Sequence, residues 1–149
     1  MPENAEHVRS PREVFERLAI LISSGAWEEL PGLYAEDVVV DIPLAIPEPM
    51  RVEGRDEVGR HLTDRVGLLK LRVVEYTVHE TADPEVVVAE FVNEGEVVAT
   101  GRTWRANNVQ VLRVRDGLIV SSRDYHDHFR INTAFDRLPD LLKTTEDQS

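Results

Sequence analysis

The chain has 149 residues, 42% apolar and 30% charged, which is the make-up of one ordinary globular domain with a sizeable core. A formal charge of −11 argues against nucleic acid and against anionic membrane surfaces, since a polyanion is repelled and no basic tract offsets the repulsion. The absence of cysteine excludes disulfides, thiolate metal sites and cysteine nucleophiles. The polar start "MPENAEHVRS", with no apolar run near the roughly eighteen residues of a membrane span, predicts a cytoplasmic protein.

Residues 1–9 read as a loose arm. Ser10, Pro11 and Glu13 then form an N-cap, a first-turn proline and a capping-box partner. Val14, Leu18, Leu21 and Ile22 give "PREVFERLAILISSG" a helical stripe. A short second helix, "AWEELPGLYA", follows. "DVVVDIPLAIPEP" reads as a strand broken by Pro43, Pro47 and Pro49. "EGRDEVGRHLTDRVGLL" returns to helical spacing through Val58, Leu62, Val66 and Leu69.

From Lys70 the chain is strand-like. "KLRVVEYTVHE", "EVVVAEFVNEGEVV", "TWRANNVQVLRVR" and "LIVSSRDYHDH" form an antiparallel meander, with Asp116-Gly117 as a hairpin turn. A short helix "NTAFDRL" and a polar tail close it. Helices early and strands late give the α+β class, in which a strongly bent sheet folds against the first helices around one cavity. The domain is expected over residues 10–138, with 139–149 as tail.

The split helix pair around "SSGAWEELPGLYAEDVVV", the stretch leading to "EGRDEV" and the closing "VRVRDGLIVSSRDYHD" resemble the nuclear transport factor 2-like superfamily. The closer likeness is to its SnoaL-like branch of polyketide cyclases and ketosteroid-isomerase-related proteins. The resemblance covers roughly residues 11–137. It implies a cystatin-like α+β roll with a cone-shaped pocket, a homodimer through the sheet's outer face, and a pocket-facing Asp124. Two patterns of the wider superfamily are missing. The helix-borne tyrosine of ketosteroid isomerases is replaced by Leu18, and their Asp before proline by Ile42, with Asp41 one residue early. The Arg-x-Asp of limonene-epoxide hydrolases meets Phe91 and Asn93. The fold hosts too many chemistries for it to name one.

The candidate site centres on "SSRDYHDHFR". If Asp116 and Gly117 are the two turn residues, Val109 faces Asp124 and Val111 faces Ser122. Asp124 then sits among valines that desolvate its ionised form, which suits proton transfer near neutrality. The competing reading pairs it with an arginine. His126 shares that face and is the assisting group; His128 continues towards solvent, and His61 reads as structural or exposed. Asp-x-His-x-His also resembles a metal set, but no third anchored ligand accompanies it, so no metal is expected.

Trp104, Tyr34, Asn93 and Asp41 complete the substrate-binding set. Trp104 and Tyr34 are amphipathic walls that core packing explains as readily. Asp41, in "VVVDIP", alternates away from Val40 and Ile42. The reading is a pocket for an apolar oxygenated molecule such as a polyketide, turned over without cofactor by a cyclase, isomerase or dehydratase. The alternative is a non-catalytic binding or dimeric interaction domain.

Overall fold

The computed structural model describes residues 7–147, so the first six residues of the expected arm lie outside the described residues. Helix α1 (Pro11–Ser23) begins as its cap dictates. The Glu13 amide donates to Ser10 Oγ, and the Ser10 amide donates to the Glu13 carboxylate. Its stripe of Val14, Phe15, Leu18 and Leu21 is buried, and Phe15 packs edge-on and tilted between Tyr76 and Phe91 at 5.5 Å from each ring centre.

"AWEELPGLYA" is a 3-10 helix over Trp27–Leu33 containing Pro31, whose missing amide donor disfavours a longer α-helix. Strand β1 (Tyr34–Ile42) starts directly after it and is followed by Pro43. Strand β2 (Met50–Glu53), not anticipated in the proline-broken stretch, pairs back on β1 with Val52 opposite Val40.

Helix α2 (Arg55–Thr63) is shorter than the sequence stripe predicts. Thr63 Oγ1 donates back to Gly59 O, and the amides of Arg65 and Val66 close tight turns on Leu62 and Thr63. Gly67, at φ +81°, then leaves the right-handed helical region. Val66 consequently turns outward, 55% exposed, and Leu69 opens strand β3 (Leu69–Glu80) instead of closing the helix.

Strands β4 (Val86–Val97), β5 (Thr103–Arg115) and β6 (Leu118–Tyr125) complete the meander. The open, curved sheet runs β2-β1-β6-β5-β4-β3, with β1 parallel to β6 and the other neighbours antiparallel. Helix α3 (His128–Ala134) starts earlier than "NTAFDRL". Helix α4 (Leu138–Asp147) occupies most of the stretch read as a tail.

The β5–β6 hairpin turns on Asp116 and Gly117, at φ +53° and +79°, as an Asp-Gly pair should. Arg115 pairs with Leu118 and Val114 with Ile119, the register that a two-residue turn sets. Beyond them the register slips: Arg113 pairs with Ser121, Leu112 with Ser122 and Gln110 with Asp124. Val120 is the extra residue, a β-bulge on β6. It corrects the expected facing of Asp124, which meets Gln110 and not Val109, and Ser122 meets Leu112 and not Val111. On β5, Asn108 joins Gln110 on the inner face, and Asn107 is exposed.

Gly95 lies opposite Trp104 across β4–β5, and any Cβ there would overlap the indole ring. The glycine makes room for the indole beside its backbone. Gly95→Ala is expected to cost about 1–3 kcal/mol in urea unfolding, the usual penalty of overpacking. In a Trp104→Ala background the same substitution should cost little; an undiminished cost would place the strain elsewhere.

Candidate functional site

The concave face of β4–β6 closes with α1, the 3-10 segment, β1 and α2 around an interior cavity of about 120 Å³. Leu18, Trp27, Val40, Phe91 and Trp104 make much of its apolar wall. That space suits one small ring, since an engineered apolar cavity of roughly 150 Å³ holds benzene.

The Val120 bulge reverses which residues of β6 face this space, so that Ser122, Asp124 and His126 line or back it while Arg123 is exposed. Asp124 is held by two donors. Gln110 Nε2 donates to Asp124 Oδ1 at 3.0 Å, and the Ser122 hydroxyl donates to the same oxygen. Among the described residues both hydrogen bonds go to Oδ1, and Oδ2 carries none. Gln110 Nε2 also lies 3.3 Å from Ser122 Oγ, which fixes which end of the amide is nitrogen. Gln110 Oε1, Asn93 Oδ1 and His128 Nε2 are buried without a partner among the described residues. Buried polar atoms rarely go unmatched.

Burial holds three histidines neutral. It lowers the pKa of His126, with the Asp124 carboxylate opposing and the Arg65 cation adding to the effect. It drives His128 down to about 4, helped by His126 and Arg65. It lowers His61 as well, again with Arg65 adding. Arg65 Nη2 lies 3.2 Å from His61 Nε2; arginine can only donate, so His61 carries its proton on Nδ1. Burial lowers the Arg65 pKa, with Asp124 opposing, yet a guanidinium stays charged across the physiological range. The Tyr34 hydroxyl is pushed up by burial, then by Asp124, and remains a proton donor.

Of the sequence candidates, Asp124, His126, Trp104, Tyr34 and Asn93 come together on the cavity wall. Asp41 does not. Uninterrupted alternation from Val38 through Val40 to Ile42 sends it to the other face, where its Oδ1 accepts from Arg51 Nε at 2.7 Å. It leaves the substrate-binding set. His128 and His61 line the cavity rather than solvent.

Asn108, Gln110 and Arg65 were missed. The first two are invisible without the bulge. Arg65 was legible: Val58, His61, Leu62 and Arg65 keep the i, i+3, i+4, i+7 spacing in sequence, and although Arg65 lies in the turn after α2 all four line the cavity. Asn108 also ties down the end of β6, where its Oδ1 accepts from the Asp127 amide at 3.0 Å. The Asp127 carboxylate in turn caps α3 at the Arg130 amide.

The sequence profile of the SnoaL-like domain matches residues 13–122. The uncharacterized protein YesE of Bacillus subtilis (strain 168) is 34% identical over 113 residues, 74% of this chain and 74% of its own. The crystal structure of a proposed isomerase from Bacillus subtilis superposes with a TM-score of 0.80 at 28% identity, covering 85% of this chain and 93% of its own. That of a proposed polyketide cyclase from Pseudomonas putida KT2440 gives 0.73 at 18% identity, over 83% and 96%, a likeness of fold.

The neutral histidines carry a stability signature. His128 titrates at about 4 in the folded protein against an ordinary 6.5, so between those values the unfolded chain binds more protons and acidification destabilises the fold. His61 and His126 act in the same sense. Glu13 and Glu85, held at about 2, lose their contribution only below the ordinary 4.5, which leaves the histidines in charge from 6.5 to 4.5. The melting temperature should fall across that window, and His128→Gln should flatten the slope. A flat wild-type profile there would contradict neutral burial.

Proposed function

The chain belongs to the SnoaL-like domain family, and from that membership and the Asp124 site we propose that it is a cofactor-independent acid–base enzyme acting on a small oxygenated ring compound. One observation carries the reading: Asp124 is anchored through Oδ1 alone, inside a largely apolar cavity, beside histidines that burial keeps neutral. A carboxylate so placed keeps one oxygen for a substrate proton and is already oriented when the transfer begins.

In this mechanism Asp124 Oδ2 takes a proton from the carbon next to a ring carbonyl, and the electron pair of that C–H bond moves into the carbonyl to give an enolate. The Tyr34 hydroxyl, the Asn93 amide and the neutral His126 ring are the donors available to the enolate oxygen. Return of the proton to a different carbon isomerises the double bond. Transfer to a departing hydroxyl dehydrates. Attack of the enolate carbon on a second carbonyl of the same molecule forms a C–C bond and closes a ring, and the alkoxide left by the opened C=O π bond takes the proton back from Asp124. The proposed isomerase and polyketide cyclase that share the fold lie within this range of chemistry. The cavity volume favours a single ring over the extended polyketide that the sequence suggests.

The homodimer belongs to the same proposal. Val92, Val109, Val111 and Tyr125, half-buried on the outer sheet face, are the apolar residues it would cover. A cytoplasmic setting is proposed from the cysteine-free sequence. The rival function is a carrier in which Asp124 simply accepts a ligand hydroxyl, and its anchored geometry serves that equally well.

Deuterium exchange separates the two. With a panel of enolisable six-membered ring ketones in D₂O followed by proton NMR, wild-type protein should exchange the α-protons of at least one. Asp124→Asn should slow that exchange by about 10²–10⁴-fold, the usual worth of a positioned acid–base group, while ligand affinity survives. No exchange above buffer, or an unaffected variant, favours the carrier.

A further inference from the structure

Acid–base chemistry at Asp124 makes no direct use of Arg65, yet Arg65 is the one lysine or arginine among the described residues lining the cavity. It is half-buried, and its guanidinium makes no ion pair within 4 Å among the described residues; its side-chain partner is the neutral His61 at 3.2 Å. Carboxylates are not scarce in this chain, where 28 Asp and Glu face 17 Lys and Arg. The other cavity-lining carboxylate, Asp127, is taken by Arg130 at 3.1 Å. Asp124 interacts with Arg65 through space but lies beyond ion-pair distance. The cavity thus holds one unpaired cation and one anchored anion on separate walls. A partly desolvated charge with no partner is costly, and the cost is recovered when a complementary charge arrives.

Position says where that charge enters. Arg65, His61, His128, Ile42 and Ile131 line both the cavity and an outer cleft beside α3, so the guanidinium sits in the wall between the two. We propose that the guest is a small-ring acid, whose carboxylate docks on Arg65 at this passage and whose ring reaches inward towards Asp124. The inference rests on the ligand-cavity reading above and narrows it to anionic substrates. Arg65 offers a fork of donors that a carboxylate accepts in bidentate fashion. His61, with Nε2 occupied as acceptor, does not compete for the carboxylate through that nitrogen and holds the guanidinium in place.

Calorimetric titration at pH 7.5 with benzoate and with benzamide, equal in shape and different in charge, tests this without requiring turnover. Wild-type protein should bind benzoate about tenfold or more tightly than benzamide, the scale of a charge-assisted contact. Arg65→Gln should erase the preference and Arg65→Lys should weaken it, since an ammonium lacks the fork. Asp124→Asn should keep it. Equal binding of the two probes by wild-type protein, no binding of benzoate, or a preference that survives in Arg65→Gln overturns the proposal. If Arg65→Gln fails to fold by circular dichroism, an unchanged preference in Arg65→Lys does so. An Asp124 variant with normal exchange activity but intact benzoate preference would instead sink only the acid–base reading.

Discussion

The site depends on one surplus residue in a strand. Side chains alternate along β6, so if Val120 were paired in register instead of bulged, the inward set after Ile119 would be Ser121, Arg123 and Tyr125, a cation and a phenol in place of the carboxylate and histidine. The bulge moves Ser122, Asp124 and His126 inward at once and leaves Arg123 exposed. It lies three positions from a turn whose geometry is fixed by Asp116 and Gly117, where a register slip is confined to one short stretch. Beyond it, pairing is regular to Val109 and Tyr125. A local irregularity therefore determines the chemistry of the whole inner face.

Bringing Asp124 inside creates a polar problem that β5 meets. Gln110 and Ser122 supply hydrogen bonds in place of water, and both converge on one oxygen. A carboxylate with both oxygens satisfied would be more stable and less reactive. The partner atoms left over, Gln110 Oε1, Asn93 Oδ1 and His128 Nε2, are the residue of that compromise: the wall carries more hydrogen-bonding capacity than its own groups use. The same holds for charge. Surface carboxylates such as Glu85 and Glu94 are each bridged to two arginines, whereas Asp124 and Arg65 face a common space without touching. These surface carboxylates are bridged while the two charges at the cavity are held apart, an arrangement that costs stability and suits a site built for a guest.

How much of this could be read from the sequence follows from which rules are local. The Ser10 cap, the Asp-Gly turn and the run of Thr103–Arg115 rest on chemistry within a few residues, and all stand, whereas strand β2 and helix α4 add to the expected order. The bulge is not local in that sense. Nothing in "LIVSSRDY" marks Val120 as surplus, because the slip is decided by the fit of Leu112 against Ser122 and Gln110 against Asp124 across the hairpin, together with the parallel pairing of Val40 with Ser122 on the other side. The end of α2 is an intermediate case. The apolar Val66 and Leu69 suggest continuation of the helix, and a stripe drawn through them passes over the polar row of His61 and Arg65. Asp41 stays outside because β1 alternates without interruption from Val38 to Ile42, so strict periodicity gives the right facing there and the wrong β5 partner for Asp124.

The stretch "RDYHDH" makes sense once strand and helix are seen to meet inside it. Asp124 and His126 obey the bulged alternation and line the cavity. Asp127 then stops extending the strand: its amide is held by Asn108, and its carboxylate caps the helix that follows. That clamp fixes where α3 begins and so places His128, the first residue of α3, in the wall beside Arg65 and His61. Four titratable groups in five positions are thus divided among three tasks. Two face the interior, one joins strand to helix, and one stands at the passage to the outer cleft. A valine-rich strand would have packed the same face more cheaply, and it would have left neither a proton acceptor inside nor a defined way in.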